Sequence, residues 1–188
     1  DMVLGNYYLT LELPGEPNEG KAYKDPNEAL MAYERREITL HTRICIPTKE
    51  FKHKVWTDEQ KDKYLVTTVG KLKFNEILPD SFPYINEPSK ENIEGITPNK
   101  FFLPMGVNIP EEIAKMPLTD PFVKKTFSSL IAQVFKRYKT TETSMMLDRL
   151  KDLGFKYSTI SGITFSLFDI KTSTHKAEFV AEGQEKVN

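Results

Sequence analysis

Residues 143–170, TSMMLDRLKDLGFKYSTISGITFSLFDI, decide how this chain is read. Met146, Leu147, Leu150 and Leu153 recur at helical spacing, so an amphipathic helix is expected from about Thr143. Gly154 can take the left-handed conformation that commonly ends a helix, and Ser161 with Gly162 offers a tight turn. Beyond that turn Ile163, Phe165 and Leu167 alternate with Thr164, Ser166 and Phe168, the period of a final strand.

Upstream, Val123, Phe127, Leu130, Ile131, Val134 and Tyr138 predict a long helix with Asp120 as its cap and Pro121 at the first position. It forms an antiparallel helical pair with the helix after Thr143. Near the start, Tyr7 to Leu13 reads as a strand. Asp25, Pro26 and Glu28 supply a cap, a first-turn proline and a capping-box glutamate for a helix to about Arg36. Ile38, Leu40, Thr42, Ile44 and Ile46 alternate with Thr39, His41, Arg43 and Cys45, which predicts a half-buried strand. Tyr64 to Val69 is β-branched and aromatic enough for another, and Gly70 to Leu78 reads as a short helix stopped by Pro79. The polar stretch 47–63, with Trp56 as its anchor, is expected as a surface excursion. The prolines of 79–118 make a loop-rich stretch that Phe101, Phe102 and Leu103 pin to the core. After Ile170, residues Ala177, Val180, Ala181 and Val187 share about one helical face. The expected fold is α+β, with short strands, the helical pair and a loop-rich middle. Neither end looks like a natural terminus, so the chain is expected to be a piece excised from a larger multidomain polypeptide.

The bulk numbers narrow the class. With 188 residues, 39% of them apolar and 28% charged, this is an ordinary globular composition. The 26 Lys and Arg against 27 Asp and Glu leave a net charge of −1, which lacks the basic footprint of an autonomous nucleic-acid binder. A single cysteine, Cys45, excludes an internal disulfide and any all-cysteine metal site, and fits a reducing cytoplasm. No apolar run approaches the roughly 20 residues of a membrane span, and no signal peptide is visible.

Candidate chemistry is sparse. His41, His53 and His175 fall in no zinc spacing. His41, Arg43 and Cys45 share a strand face and could suggest a thiol nucleophile with a nearby base, but the solvent-side or interface face of a strand explains them better. Asp148 and Asp152 lie one turn apart, as a cation-binding pair would; a solvated helix face carrying Arg149 and Lys151 accounts for the same residues. Lys124, Lys125, Lys136, Arg137 and Lys139, beside Phe135 and Tyr138, could touch a phosphate backbone, although such lysines mostly solubilise helices. No GxGxxG or Walker loop is present.

Three ordered blocks carry a resemblance: DMVLGNYYLTLE at the start, YLVTTVGKLKFNEILP in the centre, and LDRLKDLGFKYSTISGIT. Together they resemble the largest subunit, beta-prime, of bacterial DNA-directed RNA polymerase, in the pore region just beyond its magnesium-binding aspartate loop, and that loop is absent here. The resemblance implies that residues 1–170 form a pore, or secondary-channel, domain and that 171–188 begin a funnel rim helix. It implies a nucleotidyltransferase of transcription, with NTPs entering by this channel and the RNA 3′ end extruded through it on backtracking. Asp1, Tyr7 and Tyr8 would then sit nearest the active centre, while Gly154, Phe155, Ser161, Gly162 and Thr164 would shape the pore. No catalytic or metal-binding residue is assigned to the chain. Magnesium and structural zinc are expected elsewhere in the full subunit, and two-metal phosphoryl transfer needs carboxylates outside these residues.

Implied partners are the beta, alpha, omega and sigma subunits, template DNA, RNA transcript, NTPs, and cleavage or regulatory factors at the rim, in the cytoplasm and without a membrane. One departure is Ile160, where many relatives carry a basic residue before the Ser-Gly or Ala-Gly turn. Two other classes stand beside this reading. One is a non-catalytic interaction module docking a protein through the 38–46 strand or the long helix. The other is a cysteine hydrolase built on Cys45.

Overall fold

The computed structural model describes residues 1–164, 166–171 and 175–187, apart from the side chain of Val187. Among them the order is α1 (Met2–Leu9), α2 (Pro26–Glu34), β1 (Arg43–Pro47), β2 (Tyr64–Thr68), α3 (Val69–Asn75), α4 (Lys90–Glu94), β3 (Phe102–Leu103), α5 (Ile109–Lys115), α6 (Lys124–Ser161) and α7 (Lys176–Val187). The three strands make one antiparallel sheet in the order β1-β2-β3, with Cys45 opposite Val66 and Leu65 opposite Phe102. The expected α+β class is what the chain adopts.

Several elements form where the sequence places them. Asp25 Oδ1 accepts the backbone N–H of Glu28 at 2.8 Å and starts α2 behind Pro26. Thr68 caps α3 in the same way, at 3.2 Å to the N–H of Lys71. Phe101, Phe102 and Leu103 are buried, as the loop-rich middle requires. That middle is held by side-chain amides. Asn75 donates to the carbonyl of Ile85 and accepts its N–H, while Asn92 joins Tyr84, Asn86 and Glu87. Buried loop backbone must find such partners once water is excluded. Trp56, half-buried, packs edge-on against Phe51 and Phe102.

Other expectations are corrected. Tyr7 to Leu13 is no strand: residues 2–9 are helical, with Gly5, Asn6 and Leu9 buried, because docking on α6 overrides the β-favouring tyrosines. The 38–46 strand is confined to Arg43–Pro47. Thr39 and Thr42 turn the chain before it, the Thr42 hydroxyl accepting the N–H of Thr39 at 2.9 Å and the Thr39 hydroxyl accepting that of His41 at 3.1 Å. Both faces of β1 are buried, so His41, Arg43 and Cys45 are not a solvent face.

Asp120 and Pro121 do not open the long helix, which begins at Lys124, with the Thr126 hydroxyl accepting the N–H of Val123. The extra extended residues let Phe122 reach the core, where it meets Phe74 edge-on at 4.9 Å. The two expected helices are two limbs of α6, separated by one residue, Lys139, at φ 63° and ψ −157°. The first limb buries Phe127, Leu130 and Val134; the second buries Met146, Leu150, Gly154 and Tyr157. Gly154 lies inside the second limb, and the left-handed stop is Gly162 at φ 59°. The final strand is absent among the described residues: 167–169 form a single 3-10 turn with every side chain exposed. Phe165, part of that expected strand, lies outside the described residues.

Candidate functional site

α1 and the second limb of α6 pack directly on each other, bringing the first residues of the chain to the 150–161 segment. The contact is built on glycine. A Cβ at Gly154 would stand 2.4 Å from the carbonyl oxygen of Met2 and 2.6 Å from the amide of Asn6, so only a bare backbone fits this crossing. Asn6, 1% exposed, uses its amide to donate to its own helix at Met2 O, 3.0 Å, and across to Leu150 O, 3.2 Å. That bond links positions 144 residues apart.

Of the eight residues singled out from the sequence, Gly154 is the one buried in this contact. Asp1 is exposed, and its carbonyl accepts the N–H of Gly5. Tyr7 and Tyr8 are half-buried, and Tyr8 meets the His41 ring edge-on at 4.7 Å. Phe155, Gly162 and Thr164 are exposed, and the half-buried Ser161 donates its hydroxyl to Ser158 O at 2.9 Å. Tyr8 and Ile160 line one cavity of about 490 Å³ together with Tyr33, Arg36, Ile38 and His41. The site is thus an aromatic, partly apolar recess at the edge of the helix crossing.

Its electrostatics suit shaping rather than proton transfer. Burial pushes the His41 imidazole below its usual range, partly countered by its hydrogen bond to Leu11 O at 3.2 Å. Burial also raises the Tyr33 phenol, with Tyr8 adding to the effect. Cys45 is fully buried with Val66, Leu103 and Ile113, and desolvation pushes its thiol up to about 12, so a thiolate nucleophile is excluded. Asp148 and Asp152 both point to Lys151 at 3.6 Å and are exposed, a solvated helix face. Among the described residues no group of three or more His, Cys, Asp or Glu could hold a metal ion, and no helix is long and apolar enough to cross a membrane. In the basic stretch Arg137 donates to Glu94 O at 2.9 Å and lies over the Phe82 ring, while the Tyr138 hydroxyl donates to Asp80 O, so both are internal anchors.

Sequence reading missed the support behind this edge. Lys71, fully buried, forms an ion pair with Glu12 and donates to the Thr119 hydroxyl at 2.6 Å, while the other Glu12 oxygen accepts the Thr119 N–H at 2.9 Å. This ties the segment after α1 to α3 and to the approach of α6. Arg43 does the same nearby, reaching Glu19 at 2.7 Å and Met116 O at 3.0 Å. The run before Pro79 also carries Lys73 and Glu76, so no local signal singles out Lys71, and its partner 59 positions away leaves no spacing signature.

The protein-family description RNA polymerase Rpb1, domain 3, matches residues 1–170. DNA-directed RNA polymerase subunit beta′ of Geobacillus kaustophilus is 57% identical over 188 residues, and those of Bacillus cytotoxicus and Bacillus subtilis are 57% and 52% identical over 189 and 188. Each match takes in 100% of this chain and 16% of the relative, so the chain spans about a sixth of their length. With a family match over most of its length and relatives this similar, the chain belongs to the RNA polymerase Rpb1 domain 3 family, in the form found within bacterial beta-prime subunits.

Proposed function

We propose that this chain serves DNA-templated RNA synthesis as part of the beta-prime subunit of a cytoplasmic DNA-directed RNA polymerase, forming a wall of the channel by which NTPs enter and backtracked RNA leaves. Residues 1–170 are the pore domain in this reading, and 171–188 start a rim helix. The supporting observation is the crossing of α1 with the second limb of α6, which sets Tyr8 and Ile160 on one recess, while Phe155, Gly162 and Thr164, near Ile160 in the chain, are exposed. Hydroxyls and glycine at such an edge leave room for a strand of RNA and offer hydrogen bonds to phosphates. Catalytic magnesium belongs to carboxylates outside these residues. The other polymerase subunits, template, transcript and rim-binding factors are the partners.

A photo-crosslinking amino acid at Thr164 or Phe155 of the full subunit, in assembled enzyme halted with a backtracked transcript, tests this. Crosslinks to the RNA 3′ end are expected from these positions and not from Lys61 on the 47–63 excursion. Equal or absent labelling at all three would sink the channel assignment. Nucleotide addition by the isolated chain on a primed template, expected to be nil, would contradict the placing of the catalytic carboxylates elsewhere.

A further inference from the structure

The first half of the 47–63 excursion, together with α3, lines a cavity of about 480 Å³ that has no part in the edge described above. Its lining includes the apolar surfaces of Phe51, Leu78 and Tyr84. Lys54 also lines it, half-buried, with its backbone N–H bonded to Phe51 O at 3.2 Å. The charged groups facing the same space are Asp25, Glu50, Glu76 and Asp80, with Lys52 and His53. Yet among the described residues no carboxylate comes within 4.0 Å of the Lys54 ammonium and no side-chain hydrogen bond satisfies it. Lys71, buried more deeply, is paired with Glu12; Lys54 has no such partner among the described residues. An ammonium taken partly out of water without a counter-ion is driven toward the neutral amine, which is the nucleophilic form.

We propose that Lys54 is a covalent modification site, acylated at Nζ by small acyl phosphates. The neutral amine attacks the carbonyl carbon of the acyl group. The new C–N bond forms as the bond from that carbon to the phosphate oxygen breaks, inorganic phosphate leaves with the electron pair, and the surplus proton on nitrogen passes to it. No oxidant or reductant is needed. The product is a neutral amide whose acyl methyl rests on Phe51, Leu78 and Tyr84, so the reaction removes an unpaired charge from a half-buried place. Lys52, exposed on the same cavity, supplies positive charge to the departing phosphate. Burial, opposed by the more distant Asp80, sets the Lys54 ammonium at about 8. About a quarter of it is then free amine at pH 7.5, against about one part in a thousand for an ordinary lysine. A less basic amine is also a weaker nucleophile, as for thiols, so the net advantage expected is about tenfold.

The test is site-resolved. Assembled polymerase containing the full subunit is treated with isotopically labelled acetyl phosphate, quenched by unfolding and exhaustive acetylation with unlabelled reagent, and read peptide by peptide in a mass spectrometer. Lys54 is expected to react about tenfold faster at pH 7.5 than the exposed Lys52 and Lys156, with a rate that levels off above about pH 8. Asp80→Asn, which removes the one opposing charge, should raise the Lys54 rate at pH 7 and shift its plateau downward. A Lys54 rate no greater than that of Lys52, or one still rising past pH 9.5, would overturn the proposal.

Discussion

Gly5 and Gly154 meet so closely that a methyl group on either has nowhere to go: a Cβ on Gly5 would lie 1.8 Å from the carbonyl oxygen of Gly154 and 2.6 Å from the N of Ser158. The two helices touch through backbone, and the Asn6 amide locks their register. Overpacking a backbone-to-backbone contact forces one helix away, at about 1–3 kcal/mol or more. Gly5→Ala and Gly154→Ala should each lower the urea midpoint of the 188-residue chain. Helix propensity works in the opposite direction, since alanine is favoured over glycine by about 1 kcal/mol inside a helix. A midpoint that holds or rises would mean that propensity decides and the helices do not meet here.

The Glu12–Lys71 pair makes a second, separable prediction. Removing one partner leaves a buried charge without compensation, a loss of about 3–5 kcal/mol. Lys71→Met should therefore be strongly destabilising, and Glu12→Gln added to it should recover part of the loss. Chemical denaturation of the two single variants and the double variant gives the coupling. Additive losses would show that the two side chains are independent.

What could be read from residues alone follows a physical line. Caps and β-branched runs are local, and Asp25, Thr68 and Tyr64–Thr68 behave as their neighbours dictate. The errors arise where a distant partner decides. Tyr7 and Tyr8 favour a strand by themselves, yet Gly5 and Asn6 draw them into a helix because α6 lies 144 positions away in sequence and directly beside them in space. Gly154 looked like a stop for the same reason: its missing side chain serves a helix crossing, and a glycine needed for close approach is indistinguishable in sequence from one needed for positive φ. Of the edge, the two segments were visible in the quoted blocks; the recess shared by Tyr8, His41 and Ile160 and the pair behind it were not.

Cys45 should be inert and costly to ionise. A thiol titrating near 9 when unfolded and at about 12 when folded contributes stability that is complete below pH 9 and is lost as the pH rises toward 12. The sign is that of a raised pKa, because the unfolded chain releases its proton first and pulls the equilibrium toward itself. Native protein should leave Cys45 unmodified by a disulfide reagent that reacts stoichiometrically in urea. Cys45→Ala should lose less stability than the parent between pH 9 and 11. Rapid labelling of the native chain would place the thiol outside the β1–β2 core.

The last prediction concerns the far end of the chain, where apolar side chains stand in water. Phe168 is 95% exposed, Leu167 79%, Phe179 65% and Ile170 61%, whereas a side chain of this size normally covers itself. They cluster along 167–180, next to a helix with no buried residue among those described. Several large apolar side chains exposed in an isolated chain favour association. Light scattering of the 188-residue chain should show mass rising with concentration, together with binding of an apolar dye. Phe168→Ser combined with Phe179→Ser should suppress both while leaving the urea midpoint unchanged, since neither ring contributes to the core. A strictly monomeric parent that binds no dye across the same range would show that these side chains are covered in solution.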